Sequence, residues 1–123
     1  MNIRILDTTN RRDVRQFVEF PFTLYAHCPQ WMPPLVSSVK VTMDRRRYPF
    51  YRHSDADFFV AEDGGEVVGR VAVLENRRYN DYNQRKAAFF YYFDVVDDEN
   101  VARALFDAAA DWAGRRGLTM LYG

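Results

Sequence analysis

Residues 57–75 read DFFVAEDGGEVVGRVAVLE. Two runs rich in β-branched and aromatic residues flank Asp63, Gly64 and Gly65, and a tight hairpin turn needs the positive φ that glycine adopts without steric cost. The stretch therefore predicts two adjacent antiparallel strands, the second reaching about Leu74. The polar run ENRRYNDYNQRK (75–86) reads as a loop or a long strand end, and AAFFYYFDVV (87–96) as a further strand, apolar on both faces like a covered, central one. Asp97 to Asn100 offer caps to a helix in which Val101, Leu105, Ala108 and Trp112 form one stripe. Gly117, after Arg115 and Arg116, marks its end, and LTMLY (118–122) is a last short strand, predicted to run parallel to the preceding one.

Upstream of the hairpin, Asn2 to Leu6 form a first strand. Asn10 caps a helix, with Asp13 three residues on as an approximate capping box. Val14, Phe17 and Val18 keep helical spacing; Pro21 is expected to end or kink the helix near Phe20, with Phe22 to Ala26 resuming as helix or turn. HCPQWMPPL (27–35) is punctuation before a second helix lined by Leu35, Val39 and Met43, and DRRRYPFYRHSD (44–55) reads as an exposed loop with aromatic anchors. The order βααβββαβ predicts an α+β fold: a mixed, mostly antiparallel central sheet with helices on both faces.

With 123 residues, 48% of them hydrophobic and 16% aromatic, the chain has the size and apolar content of one domain with one core. Lys+Arg and Asp+Glu both number 17, so no global field draws it to nucleic acid or an anionic membrane, and any such claim rests on local patches. Cys28 is the only cysteine, which excludes an intrachain disulfide. The opening MNIRILDTTN lacks the apolar core of a signal peptide, and no apolar run has the length of a bilayer span. A cytoplasmic setting is expected, with neither nucleic acid nor membrane as partner.

The hairpin FFVAEDGGEVVGRVAV, within that element order and followed by a strand–helix–strand ending in RRGLTMLYG, resembles the GNAT superfamily of acetyl-CoA-dependent N-acyltransferases. FVEFPFTLYAHCPQWMPPL (17–35), followed by HSDADFFVAE (53–62), also resembles the N-terminal part of larger bacterial proteins with GNAT-like domains. The resemblance implies a Gly-rich loop of the type Q/R-x-x-G-x-G/A after the fourth strand, whose bare backbone takes the coenzyme pyrophosphate at the following helix N-terminus. Here residues 93–105, FDVVDDENVARAL, contain no glycine. Asp97, Asp98 and Glu99 stand where the anion would sit, and like charges about 4 Å apart at an effective dielectric near 20 cost roughly 4 kcal/mol. The family sheet also continues past its fifth strand. Residues 1–123 are thus expected to be a single GNAT-like domain, truncated relative to the family and completed by the remainder of a longer chain or by a second copy in a homodimer.

Three functions follow as expectations. The first is a domain without its own acetyl-CoA pyrophosphate loop, acting as a scaffold or binding half. The second is a divergent acetyl-CoA-dependent N-acyltransferase that holds the coenzyme by the backbone of Phe93, Asp94, Val95 and Val96. In it Asp94, the one charge inside FFYYFDVV, is the candidate catalytic base, as several relatives place a base on that strand. Trp31, Tyr91 and Tyr92 would line its substrate cleft. The third is an interaction module whose open sheet edge recruits a partner strand. His53, Asp55 and Asp57 alternate in the manner of metal ligands on one strand face, but metal sites draw ligands from separate elements, so no metal is expected. Arg45, Arg46 and Arg47 interleave with Tyr48, Phe50 and Tyr51 as in single-strand nucleic-acid grooves; neutral net charge favours a surface loop whose aromatics tuck onto the core.

Overall fold

The computed structural model describes all residues, Met1–Gly123. Its centre is the hairpin. Strands β2 (Asp55–Asp63) and β3 (Glu66–Glu75) pair antiparallel from Asp55↔Glu75 to Asp63↔Glu66, closed by Gly64 at φ 58° and Gly65 at φ 82°. Strand β1 (Asn2–Ile5) joins β2 antiparallel, with Ile5 opposite Phe59. On the other side β4 (Ala87–Val95) joins β3 antiparallel, and β5 (Met120–Tyr122) joins β4 parallel, giving the order β1-β2-β3-β4-β5.

Strand alternation sends side chains to two separate cores. Phe59, Ala61, Val71 and Val73 face α4 (Glu99–Arg115), whose Val101, Leu105, Ala109, Trp112 and Ala113 are buried against them. Ala56, Phe58, Val60 and Ala72 face α1 (Arg11–Leu24) and α2 (Val36–Met43), which contribute Phe17, Val18, Val39 and Met43. Each fully buried Phe or Leu contributes about 1.5–3 kcal/mol of transfer free energy. Gly69 sets the distance of α4 from the sheet: a Cβ there would lie 2.7 Å from Leu105 Cδ1 and 3.1 Å from Val101 Cγ1.

Four local readings change. Of the end or kink expected at Pro21, the end is not seen: helix α1 runs through Pro21 to Leu24, with Phe22 to Leu24 helical as the second part of that reading had it, and Asn10 is its cap, accepting from the Arg12 and Asp13 amides. Leu35 is the exposed N-cap residue of α2 and does not line it; Val39 and Met43 do. The polar run after β3 contains a short helix, α3 (Arg77–Asn83), capped by the Asn76 side chain on the Tyr79 amide. Of β4 only Ala87 and Ala88 are fully buried; the rest of the strand is partly buried, with side chains packed against both cores.

Candidate functional site

The fourth strand carries an irregularity that decides where its side chains point. Arg70 of β3 faces Asp94 while Ala72 faces Tyr91, so Val71 alone stands opposite two residues, and Tyr92 takes φ 51°. This is a β-bulge built on a left-handed tyrosine. It puts Tyr91 and Tyr92 together on the α1 face, while Phe90, Phe93 and Val95 pack on the α4 side. Asp94 consequently joins the α1 face. Strand β5 reaches only Ala87 to Phe89, so Phe90 to Val95 carry no strand on that side within this chain.

Asp94 sits among three elements. Its Oδ1 accepts the Tyr25 hydroxyl at 2.7 Å, and its Oδ2 accepts Arg70 Nε at 2.9 Å. Arg70 is only 3% exposed. It also donates to the Phe17 carbonyl at 2.8 Å and lies over the Phe17 and Tyr92 rings, 4.8 and 5.1 Å from their centroids. Burial lowers the Arg70 pKa against the opposing pull of Asp94. The hydrogen bond to Asp94, with burial adding to it, pushes the Tyr25 hydroxyl up to about 12. Tyr91 is raised still further, chiefly by burial.

Trp31 reaches this cluster through Tyr25. It stacks on the Tyr25 ring at 5.1 Å and meets Phe22 edge-on at 5.2 Å, pinning the proline-rich connection to the end of α1. Asp94, Tyr92, Tyr91 and Trp31 therefore share one face of the sheet, joined by Tyr25 and Arg70, two residues the sequence did not single out. The signal for Arg70 lay in Pro21. A proline lacks the N–H that would reach the carbonyl four residues back, so Phe17 needs another donor.

At the start of α4, Asp98 is the N-cap. Its carboxylate accepts the Asn100 amide at 2.9 Å, and its own amide bonds to the Val96 carbonyl at 2.7 Å. Glu99 pairs with Arg103 one turn on. Asp97 to Asn100 are all exposed, so water and salt screen the repulsion between acids well below its partly buried value. What the head of α4 shows is an N-cap amide already taken by Asp98 and no glycine in the turn that leads to it.

His53 turns to the Ser54 hydroxyl, 2.7 Å away. Asp55 and Asp57 pair with Arg45 and Arg116, and Asp57 also accepts Trp112 Nε1 at 2.8 Å. Arg45 further donates to the Ala56 carbonyl, beyond the end of β1, so it closes an edge of the sheet. Phe50 and Tyr51 tuck onto the α1–α2 core, as the sequence suggested. No helix is long and apolar enough to cross a membrane.

Comparison with known proteins places this geometry. The chain is 29% identical over 114 residues to Protein YghO of Escherichia coli (strain K12), spanning 93% of this chain and 29% of that protein. It is 28% identical over 123 residues to Bacterial ceramide synthase of Caulobacter vibrioides (strain NA1000 / CB15N), spanning 99% of this chain and 32% of that protein. The chain thus covers less than a third of the length of these curated relatives. Among solved structures it superposes on a tandem GNAT protein from the clavulanic acid biosynthesis pathway with a TM-score of 0.74 at 21% identity, covering 98% of this chain and 35% of that one. A putative GNAT family acetyltransferase from Staphylococcus aureus gives 0.67 at 12% identity, covering 100% of this chain and 99% of its own. No family model matches the chain. The fold is the GNAT fold.

Proposed function

We propose that this chain is a GNAT-fold domain of an N-acylating protein, serving as a scaffold or substrate-binding half without seating the coenzyme diphosphate itself. One observation carries the reading: at the head of α4 the Asp98 carboxylate occupies the Asn100 amide, one of the N–H groups an anion would use. No glycine between Phe93 and Leu105 exposes bare backbone there. The likeness to one part of a tandem GNAT protein supports a division of labour between two such domains. Calorimetric titration with acetyl-CoA tests the proposal. Heat consistent with micromolar binding at one site per chain overturns it; no saturable heat is the expected result.

A second reading is favoured by the likeness to a ceramide synthase across nearly the whole chain. A ceramide is an N-acylated long-chain amino alcohol, so the acceptor would be a long-chain amine and the donor an acyl thioester. In this reading the donor lies along the backbone of Phe93 to Val96 and the amine enters beside Trp31, Tyr91 and Tyr92. The amine nitrogen would bond to the acyl carbon as the C–S bond breaks and the thiolate leaves, the amine's proton passing to the Tyr25 oxygen while the Tyr25 hydroxyl proton passes to the Asp94 carboxylate it already bonds to. Asp94→Asn would then abolish acyl transfer to a long-chain amine, and because it leaves the buried Arg70 without its counter-ion, the unfolding midpoint of the variant is measured alongside its turnover. Undiminished turnover by that variant removes Asp94 from the chemistry.

A further inference from the structure

We infer that the face shared by α1 and α2 docks on an anionic lipid surface, its cations meeting the headgroups and the Met32–Leu35 loop entering the interface. This inference does not depend on whether the chain binds a coenzyme.

Zero net charge on the whole chain hides an uneven distribution. A groove runs between α1 and α2. One end, about 550 Å³, is lined by Arg11, Lys40, Arg46 and Arg47, and the adjoining part by Arg15. Arg11, Arg15, Lys40 and Arg46 are exposed and make no ion pair, and Arg47 has only a 3.9 Å contact to Asp44 at 87% side-chain exposure. Against them the lining offers two carboxylates, Glu19 and Asp44. Free cations gathered on one face attract an anionic surface within a Debye length.

The other end of the groove, about 450 Å³, keeps Arg15 and Lys40, with Glu19 and Thr23 beside them, and adds an apolar wall of Val18, Phe22 and Val36. Beyond it the chain exposes Met32 at 87% and Leu35 at 73%. Large apolar side chains clustered and left in water mark an interaction site. Pro33 and Pro34 restrict the backbone between them, and Trp31, held by Tyr25 and Phe22, fixes the loop to the body. An apolar projection beside a row of cations matches the layered chemistry of a bilayer surface, headgroup charge above acyl chain. A single-stranded nucleic acid would instead stack its bases on open aromatic faces, whereas Phe50 and Tyr51 pack against the α1–α2 core and Trp31 is stacked on Tyr25. A duplex, held through its phosphates, has no use for the apolar projection of Met32 and Leu35.

The test is sedimentation of the full chain with phosphatidylcholine vesicles, with and without phosphatidylglycerol. The wild type is expected to sediment with the anionic vesicles and to be released by added salt. Arg15→Glu with Lys40→Glu should weaken binding about tenfold or more. Met32→Ser with Leu35→Ser should weaken it several-fold while leaving its salt dependence. All four positions are exposed, and unchanged thermal midpoints would establish that the variants fold. Failure of the folded wild type to sediment, equal binding to neutral vesicles, or indifference to the charge reversals overturns the inference. Equal affinity for soluble polyglutamate would do so as well, by assigning the face to an acidic protein partner.

Discussion

Arg70 donates to the carbonyl of Phe17 at 2.8 Å, and that carbonyl is the one Pro21 leaves without its helical donor. A helix interrupted by proline normally kinks or loses a hydrogen bond. Here an arginine from the sheet supplies the bond, and its remaining donor capacity ties β4 to the same point through Asp94. Removing the guanidinium strands both acceptors, so Arg70→Met is expected to cost about 3–5 kcal/mol, measured by urea unfolding. Pro21→Ala restores the missing N–H and should reduce that cost by about 1 kcal/mol. A double-mutant cycle in which the two changes are additive would show that the helix break and the arginine are unrelated.

Tyrosine ionisation sets an alkaline limit on the fold. The hydroxyl of Tyr25 is raised from 10.0 to about 12, first by its bond to Asp94. Tyr51 reaches about 12, first by burial, and donates to the Thr42 carbonyl at 2.6 Å. A folded-state pKa above the unfolded value contributes stability that is fully present below the unfolded pKa and lost as pH rises through the folded one. Unfolding free energy should therefore begin to fall near pH 10 and keep falling towards pH 12. Tyr25→Phe should flatten part of that decline. An identical alkaline slope in this variant would remove Tyr25 from the effect.

An acid limit has the opposite sign. Burial raises the Asp13 carboxyl, but the hydrogen bond from Arg4 and the Asp7 amide outweigh it, and the net shift is downward from 3.8. That stability is present above the unfolded pKa and lost as pH falls through the folded value. Asp13→Asn should lower the thermal midpoint at neutral pH and converge with wild type below pH 3.8. Parallel pH profiles for the two proteins would contradict the assignment.

Packing at the hairpin gives an independent test of the sheet–helix contact. A methyl group at Gly69 meets Leu105 Cδ1 at 2.7 Å, in a core where Leu105 is fully buried. Gly69→Ala is expected to cost about 1–3 kcal/mol, partly recovered when Leu105→Val is added. Equal stability of Gly69→Ala and wild type in chemical denaturation would mean that α4 gives way freely.

What could be read from the chain depended on whether the governing signal was local. The Asp63–Gly65 turn and the caps Asn10 and Asp98 are short-range chemistry, and they lie where the sequence puts them. Helix α3 has no apolar stripe to reveal it; it is fixed from outside, by Asn80 exchanging two hydrogen bonds with the backbone of Ala87. The bulge at Tyr92 lacked the glycine that usually announces a positive φ. Because the bulge chooses which face Asp94 joins, its surroundings were legible only from the folded chain. Asp94 was visible as an isolated charge, but its partners Tyr25 and Arg70 lie 69 and 24 residues away.

The cap of α4 separates two roles of one carboxylate. As an N-cap, Asp98 stabilises the helix by satisfying the Asn100 amide; as a charge at an exposed turn, it adds little to anion exclusion once salt is present. Asp98→Ser keeps a capping oxygen and should shift stability by only a few tenths of a kcal/mol, whereas Asp98→Ala should cost about 1 kcal/mol. If side-chain bulk and the occupied cap are what close the site, Asp98→Ser should remain unable to bind acetyl-CoA. Asp97→Gly combined with Asp98→Gly opens backbone at the same place and is the variant in which coenzyme binding should first appear. Calorimetric binding by Asp98→Ser would instead assign the exclusion to charge.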